Sequence, residues 1–215
     1  MTDRRDERLA EASGAPEPVL VELARGFGPF GAALFLGCER AAADAERLLD
    51  AGITTSVTVA VNSDPPPLVL ADGTPLRRFK VGLIDGPGNP PGLLVAAVLT
   101  LEAAFALPSP GKPDYPPHRA GGVLVHCRGG RSRSTTVAAL FLAVAAPERW
   151  TDFGAALSDV RAARGLDPGD PGAPRRELLD LATLAADHLR YLHRPAGSSK
   201  TPSPAWGWKD CPDTA

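Results

Sequence analysis

Apolar residues along this chain fall into short runs of two kinds, and their spacing predicts most of its elements. Runs rich in β-branched and aliphatic residues, "ALFLG" (33–37), "TTSVTVAVN" (54–62) and "GVLVH" (122–126), are too short for helices and read as buried strands. "LVLADGTPLRRFKVGLI" (68–84) carries Asp72-Gly73 between strand-like runs, the chemistry of a tight hairpin. "AAADAERLLDAG" (41–52) has helical spacing and closes at Gly52, just past its last turn. An apolar helix is expected over 92–107, and further helices over 134–146, 151–164 with Thr151 as N-cap, and 174–193. Strands and helices alternate first and helices alone follow. The expected class is α/β, with a small central sheet, mixed but mostly parallel, flanked by helices on both faces.

Length and composition refine this picture. At 215 residues and 44% hydrophobic, the chain suits one well-packed domain. Residues 1–29 are read as a partly disordered N-terminal arm, 30–194 as the domain, and 195–215 as a Pro/Ser-rich tail whose Trp206 and Trp208 are expected to dock back on it. The Pro-rich loop over 108–122 must lie on the surface. The N-terminal residues have no apolar core, and the longest apolar runs, 93–101 and 135–147, are too short to span a bilayer, so no membrane insertion is expected.

Charge narrows the chemistry. A net charge of −2 gives no general attraction to nucleic acid or acidic membrane, so any anion site must be local. Three cysteines, Cys38, Cys127 and Cys211, are too few and too scattered for a disulfide framework or a zinc cluster. A reducing cytoplasm fits that count, and neither a metal nor a cofactor is expected.

One stretch departs from the near-neutral background. "VLVHCRGGRSRSTTVAAL" (123–140) gathers three arginines around a thiol where a buried strand ends and a helix begins. A thiol is nucleophilic as thiolate, and cations or a helix N-terminus lower its pKa from about 8.5 to roughly 3.5–7.5. Backbone N–H groups of such a junction converge at the positive end of the helix dipole. Gly129 and Gly130 let the chain curl and approach a ligand closely. Arg133, six residues after Cys127, can fold back and offer a bidentate fork to two phosphoryl oxygens. Ser134 can hydrogen-bond the sulfur and ease its departure, while His126 is read as ordering the loop from behind. Arg128, Gly129, Gly130, Arg131, Ser132 and Arg133 form the candidate phosphate cradle, with Arg128 and Arg131 leaving room for an acidic or multiply phosphorylated substrate.

"HCRGGRSRS" resembles the H-C-x-x-G-x-x-R-[ST] motif of the cysteine-dependent protein phosphatases, in the form typical of the dual-specificity subfamily. The resemblance extends to "LFLGCERAAADAERLLDAGITTSVTVAVN" and "FKVGLIDGPGN" and spans about residues 33–190. It implies Cys127 as nucleophile, Arg133 as phosphate clamp, Ser134 as the hydroxyl assisting breakdown of a phosphocysteine, and Asp85 as general acid. It also implies a phosphorylated protein as substrate.

Read from the residues alone, the acid has rivals. Asp85 ends an apolar strand and opens the Gly/Pro loop "DGPGNPPG", where a side chain is exposed and movable. Asp72 is better explained by its turn, Asp64 by a Pro-rich loop and Asp114 by solvent. The 42-residue separation of Asp85 from Cys127 exceeds the spacing expected for the subfamily, and the excess falls in the 108–122 loop, a surface insertion that should leave the site intact. The chain has no glutamine, so positioning of the hydrolytic water falls to the loop backbone, Asp85 or Ser134. Tyr115 and Tyr191, the two tyrosines, are not placed to deepen the mouth, and a shallow mouth admits phosphoserine and phosphothreonine beside phosphotyrosine. Three other readings stay open here: the same mechanism on an inositol lipid, nucleic-acid or sugar phosphate, a rhodanese-like sulfurtransferase, and a non-catalytic phosphate-binding module.

Overall fold

The computed structural model describes residues 18–107, 111–115, 117–167, 169–170 and 174–193. Among these residues five strands form a sheet: β1 (Leu20–Phe27), β2 (Ala32–Cys38), β3 (Ile53–Ala60), β4 (Arg77–Leu83) and β5 (Gly122–Cys127), in the order β1-β2-β5-β3-β4. The pairs β2–β5, β5–β3 and β3–β4 are parallel and β1–β2 is antiparallel, as the mixed, mostly parallel expectation required. Parallel pairing aims the ends of β2, β3, β4 and β5 at one edge, the edge at which open α/β sheets hold their ligands.

Five α-helices among the described residues cover the sheet unequally: α1 (Ala45–Asp50), α2 (Pro91–Ala106), α3 (Arg133–Ala145), α4 (Phe153–Arg164) and α5 (Arg176–Leu192). The larger core joins Leu34, Leu36, Val57, Val59, Val123 and Val125 of the sheet to apolar faces of α2, α3, α4 and α5. The smaller core on the other face packs Phe35, Ile53 and Leu124 against Leu48 of α1 and against Leu70 and Leu76 of the connection between β3 and β4. Helix α3 is buried from Arg133 through Ala143. Its alanines keep it thin enough to lie between the sheet and its neighbours, and Phe141 meets Phe27 and Phe105 at ring separations of 5.0 and 5.4 Å. No helix among the described residues is long and apolar enough to cross a membrane.

Several expectations are corrected. Residues 20–27, placed in the N-terminal arm with a domain boundary at 30, form edge strand β1 and are part of the sheet. Their alternation is broken by two register shifts and by Gly26 (φ +99°), which hides the period-2 signal. The Asp72-Gly73 turn exists, with Thr74 N–H donating to Asp72 Oδ1 at 2.9 Å, but its hairpin is a single bridge, Val69 to Pro75. The following strand pairs parallel with β3 instead. The 41–52 helix is split into a 3₁₀ turn (Ala41–Ala43) and α1, because the Asp44 carboxylate caps Arg47 N–H at 3.0 Å and restarts the helix there. Asp152, not Thr151, caps α4, accepting from Ala155 N–H at 2.9 Å. Trp206, Trp208 and Cys211 lie outside the described residues.

His118 and Arg119 of the 108–122 insertion lie away from the strand ends that matter. His118 Nε2 lies 3.4 Å from Thr55 Oγ1 near the start of β3, and Arg119 pairs with Asp72 at 3.1 Å. Both contacts are at the opposite edge of the sheet from the ends of β3 and β5.

Candidate active site

Cys127 is the last residue of β5 and Arg133 the first of α3, so residues 128–132 must turn the chain within five positions. Gly130 makes the turn: its φ is +63°, and a Cβ there would stand 2.7 Å from the Gly37 carbonyl oxygen. It is buried behind the loop and does not line the cleft; its part is to let the loop lie against the end of β2. Two more bonds fix the loop from outside. Glu39 N–H donates to the Arg128 carbonyl at 3.1 Å, and Arg164 Nε donates to the Gly130 carbonyl at 3.0 Å.

The loop walls an open cleft of about 350 Å³ with the Cys127 thiol at its base. Ser134 Oγ lies 3.2 Å from the Cys127 sulfur. Burial pushes the Cys127 pKa up, but hydrogen bonds from the Ser134 hydroxyl, from the backbone N–H groups of Ser134 and Arg131, and the Arg133 cation outweigh it. The thiol therefore sits below its ordinary value. His126 points to the other side of the sheet and is fully buried. Its Nδ1 is 3.4 Å from the Cys127 carbonyl and its Nε2 2.8 Å from Thr58 Oγ1. A carbonyl only accepts, so Nδ1 carries the proton and Nε2 accepts from Thr58. Burial lowers the His126 pKa to about 4, which keeps the ring neutral near pH 7 and suits a loop support better than a base.

Arg133 is buried and held on one side. Its Nη1 donates to Asn62 Oδ1 at 2.8 Å and to the Leu83 carbonyl at 3.3 Å. Its Nε is buried without a hydrogen-bond partner. The Nε–Nη2 edge of the guanidinium thus remains for a two-pronged contact with an oxyanion in the cleft. Asp85 lines the same cleft from the turn two residues past the end of β4, 43% exposed. Its Oδ1 accepts from Ser132 Oγ at 2.7 Å and its Oδ2 is 3.8 Å from Arg133 Nη2. Asn89 shapes the acid-bearing turn: its Oδ1 accepts from Ile84 N–H at 2.7 Å, and its Nδ2 donates to the Ile84 and Gly86 carbonyls at 2.9 and 3.0 Å.

The other acidic candidates lie elsewhere. Asp72 is engaged by Thr74 and Arg119, Asp64 is exposed beside Lys80, and Asp114 belongs to the insertion. On the rim, Arg128 is 65% exposed with its Nε 4.0 Å from Glu39, and Arg131 Nη2 pairs with Asp170 at 2.8 Å. Asp170, from the glutamine-free stretch 165–176, thus reaches the loop. Sequence reasoning passed over Asn62, Asn89, Arg164 and Asp170. Only Asn62 carried a signal, as a polar residue closing the apolar β3 run.

Similarity to known proteins agrees with this geometry. No family model matches the chain. Human dual specificity phosphatase 28 is 32% identical over 160 residues, which cover 74% of this chain and 77% of that protein. The chain belongs to the dual-specificity phosphatase family. The phosphatase is also similar to the crystal structure of human dual specificity phosphatase 28, with a TM-score of 0.57 and 26% identity, covering 82% of this chain and 97% of that one. A mouse dual specificity phosphatase described as putative and solved with zinc tungstate gives a TM-score of 0.53 at 26% identity, over 74% of this chain and 85% of its own. The phosphatase is therefore a cysteine-dependent enzyme, and the sulfurtransferase and binding-module readings are set aside.

Proposed function

We propose that this phosphatase hydrolyses phosphotyrosine and phosphoserine or phosphothreonine monoesters of proteins through a phosphocysteine intermediate. The observation that carries the reading is the convergence of three groups on one cleft: the Cys127 sulfur, the Nε–Nη2 edge of Arg133 and the Asp85 carboxyl group. In the first step the Cys127 thiolate attacks phosphorus and the P–O bond to the leaving oxygen breaks. Asp85 gives that oxygen its proton, while Arg133 and the loop N–H groups hold the equatorial oxygens as charge shifts onto them. In the second step water attacks the phosphocysteine, Asp85 accepts the proton, inorganic phosphate leaves and the thiolate returns. Ser134, 3.2 Å from the sulfur, stabilises that departing thiolate. No step calls on a metal or cofactor.

The substrate reading rests on the mouth. Tyr115 belongs to the distant insertion and Tyr191 ends α5 in solvent, so neither deepens the cleft, and a short alkyl phosphate can reach the sulfur as well as an aryl one. Tungstate bound by the mouse relative is a tetrahedral oxyanion, the shape this cradle suits. Free thiols at Cys38 and Cys127 support a reducing compartment, the cytoplasm. The exposed Arg128 favours a second reading, in which the same chemistry acts on a multiply anionic inositol, nucleic-acid or sugar phosphate. Steady-state kinetics on phosphopeptides, inositol phosphates and sugar phosphates test both. A kcat/KM for phosphopeptides well above the others supports the protein reading, and the reverse order overturns it.

A further inference from the structure

The cysteine that the proposed chemistry leaves unused stands beside the one it needs. In the parallel pairing of β2 with β5, Cys38 is in register with Cys127, and each is the last residue of its strand. Side chains alternate along a strand, and Leu34, Leu36, Val123 and Val125 all lie in the larger core. Cys38 and Cys127 continue those two rows and project from the same face of the sheet. Neighbouring strands are about 4.8 Å apart, inside the Cα separation of roughly 4.4–6.8 Å that a disulfide spans. The strands stay paired one residue further, through Glu39 N–H and the Arg128 carbonyl at 3.1 Å. Both thiols are free and buried, and the Arg164 guanidinium interacts electrostatically with each of them.

We infer that Cys38 is a resolving cysteine, which captures peroxide-oxidised Cys127 as an intramolecular disulfide behind the phosphate loop. The step balances with a hydroperoxide as oxidant. The Cys127 thiolate attacks one peroxide oxygen, the O–O bond breaks, and Cys127 becomes a sulfenic acid as hydroxide or alkoxide leaves. The Cys38 thiol then attacks the Cys127 sulfur, the S–O bond breaks, and water departs with the Cys38 proton as the S–S bond forms. The disulfide needs a Cβ separation of about 3.8 Å, somewhat less than the strand spacing. Both cysteines end their strands, so the pinch falls where the ladder gives way to loop. The consequence is reversible inactivation: the nucleophile is tied back from the cleft and kept from irreversible oxidation to sulfinic acid, until a dithiol reduces the bond.

This inference rests on Cys127 being a reactive thiolate, but not on phosphate turnover, and its first readout is a mass. Full-length protein is treated with limiting hydrogen peroxide, remaining thiols are alkylated, and the digest is searched for a Cys38–Cys127 linked peptide lighter by about 2 Da than the two free peptides. That peptide is expected in the wild type and in Cys211→Ser. In Cys38→Ser, whose untreated activity should match the wild type, Cys127 is expected to gain about 32 Da as sulfinic acid, and the activity recovered by dithiothreitol should fall at least about threefold. A Cys127–Cys211 link, an intermolecular link only, or no link at all overturns the inference, as does equal recovery in Cys38→Ser. A missing link in protein that turns over phosphate overturns this inference alone. A link in protein that turns over nothing supports it and counts against the catalytic reading.

Discussion

Arg133 Nη1 and Asn62 Oδ1 are joined by a 2.8 Å hydrogen bond between the start of α3 and the turn after β3. The bond fixes the plane of the guanidinium, and so decides which edge meets a phosphate. Asn62→Ala is expected to lower kcat/KM by about tenfold, the worth of one bond to a charged group. Asn62→Asp, which keeps an acceptor, should recover most of it. Arg133→Lys should cost more, at least about a hundredfold in kcat, because a point charge cannot make the two-pronged contact. Aryl phosphate kinetics of the three variants check the order.

Cys127→Ser is expected to abolish turnover while vanadate or phosphate binding persists, since a hydroxyl does not ionise near neutral pH and the cradle remains. Ser134→Ala probes the same sulfur more gently. The Ser134 hydroxyl lowers the Cys127 pKa, so removing it raises that pKa, and the rising limb of the kcat/KM profile moves to higher pH. Pre-steady-state kinetics should also show phosphocysteine accumulating, because its breakdown has lost its stabiliser.

Asp85→Asn should hurt poor leaving groups most. A proton matters greatly to a departing serine alkoxide and little to an activated phenolate, with typical gains of about 10²–10⁴. The falling limb of the kcat/KM profile should vanish with the carboxyl group. Asp64→Asn, Asp72→Asn and Asp114→Asn should leave both the limb and the leaving-group dependence in place. Equal slowing of all substrates by Asp85→Asn would remove it from the acid role.

These tests separate what was legible in the sequence from what was not. Residues 126–134 could be read because nucleophile, cradle and clamp must be close in space and are also consecutive in the chain. Asn62, Arg164 and Asp170 meet the loop and its clamp from three other segments, Asn89 holds the acid-bearing turn, and apart from Asn62, a polar residue closing an apolar run, nothing in their own neighbourhoods marks them. Edge strand β1 was missed because its bulges break the alternation that would announce it, whereas β3 and β5, buried on both faces, read as unbroken apolar or β-branched runs. Asp72-Gly73 marked a turn correctly, but a turn says nothing of the pairing beyond it. Pro75 offers no N–H to extend an antiparallel ladder, and β4 pairs with β3.

Stability should carry its own pH signature at the end of α5. His193 Nε2 is 3.1 Å from Glu102 Oε1 of α2, both side chains nearly out of water at 12% and 11% exposure. The Glu102 hydrogen bond raises the His193 pKa above its ordinary 6.5 despite burial. The pair's contribution is therefore complete below about pH 6.5 and is lost as pH rises through the raised value in the folded protein. The urea midpoint of the wild type should fall across that window. Glu102→Gln, which removes the charge but keeps the shape, should flatten the fall and lower stability on its acidic side.

Because α3 is enclosed along nearly its whole length, the clamp-bearing helix has little freedom to diversify. A change in volume at Leu140 or Phe141 is felt by the sheet and by neighbouring helices at once, at about 2–5 kcal/mol for truncation to alanine. Evolution of a new substrate range must work instead on residues that stay largely exposed. Val61 and Ile84, 54% and 47% exposed and next in sequence to Asn62 and Asp85, are such places, and so is Arg128. A library confined to these three positions should yield altered selectivity without loss of fold far more often than one aimed at the helix.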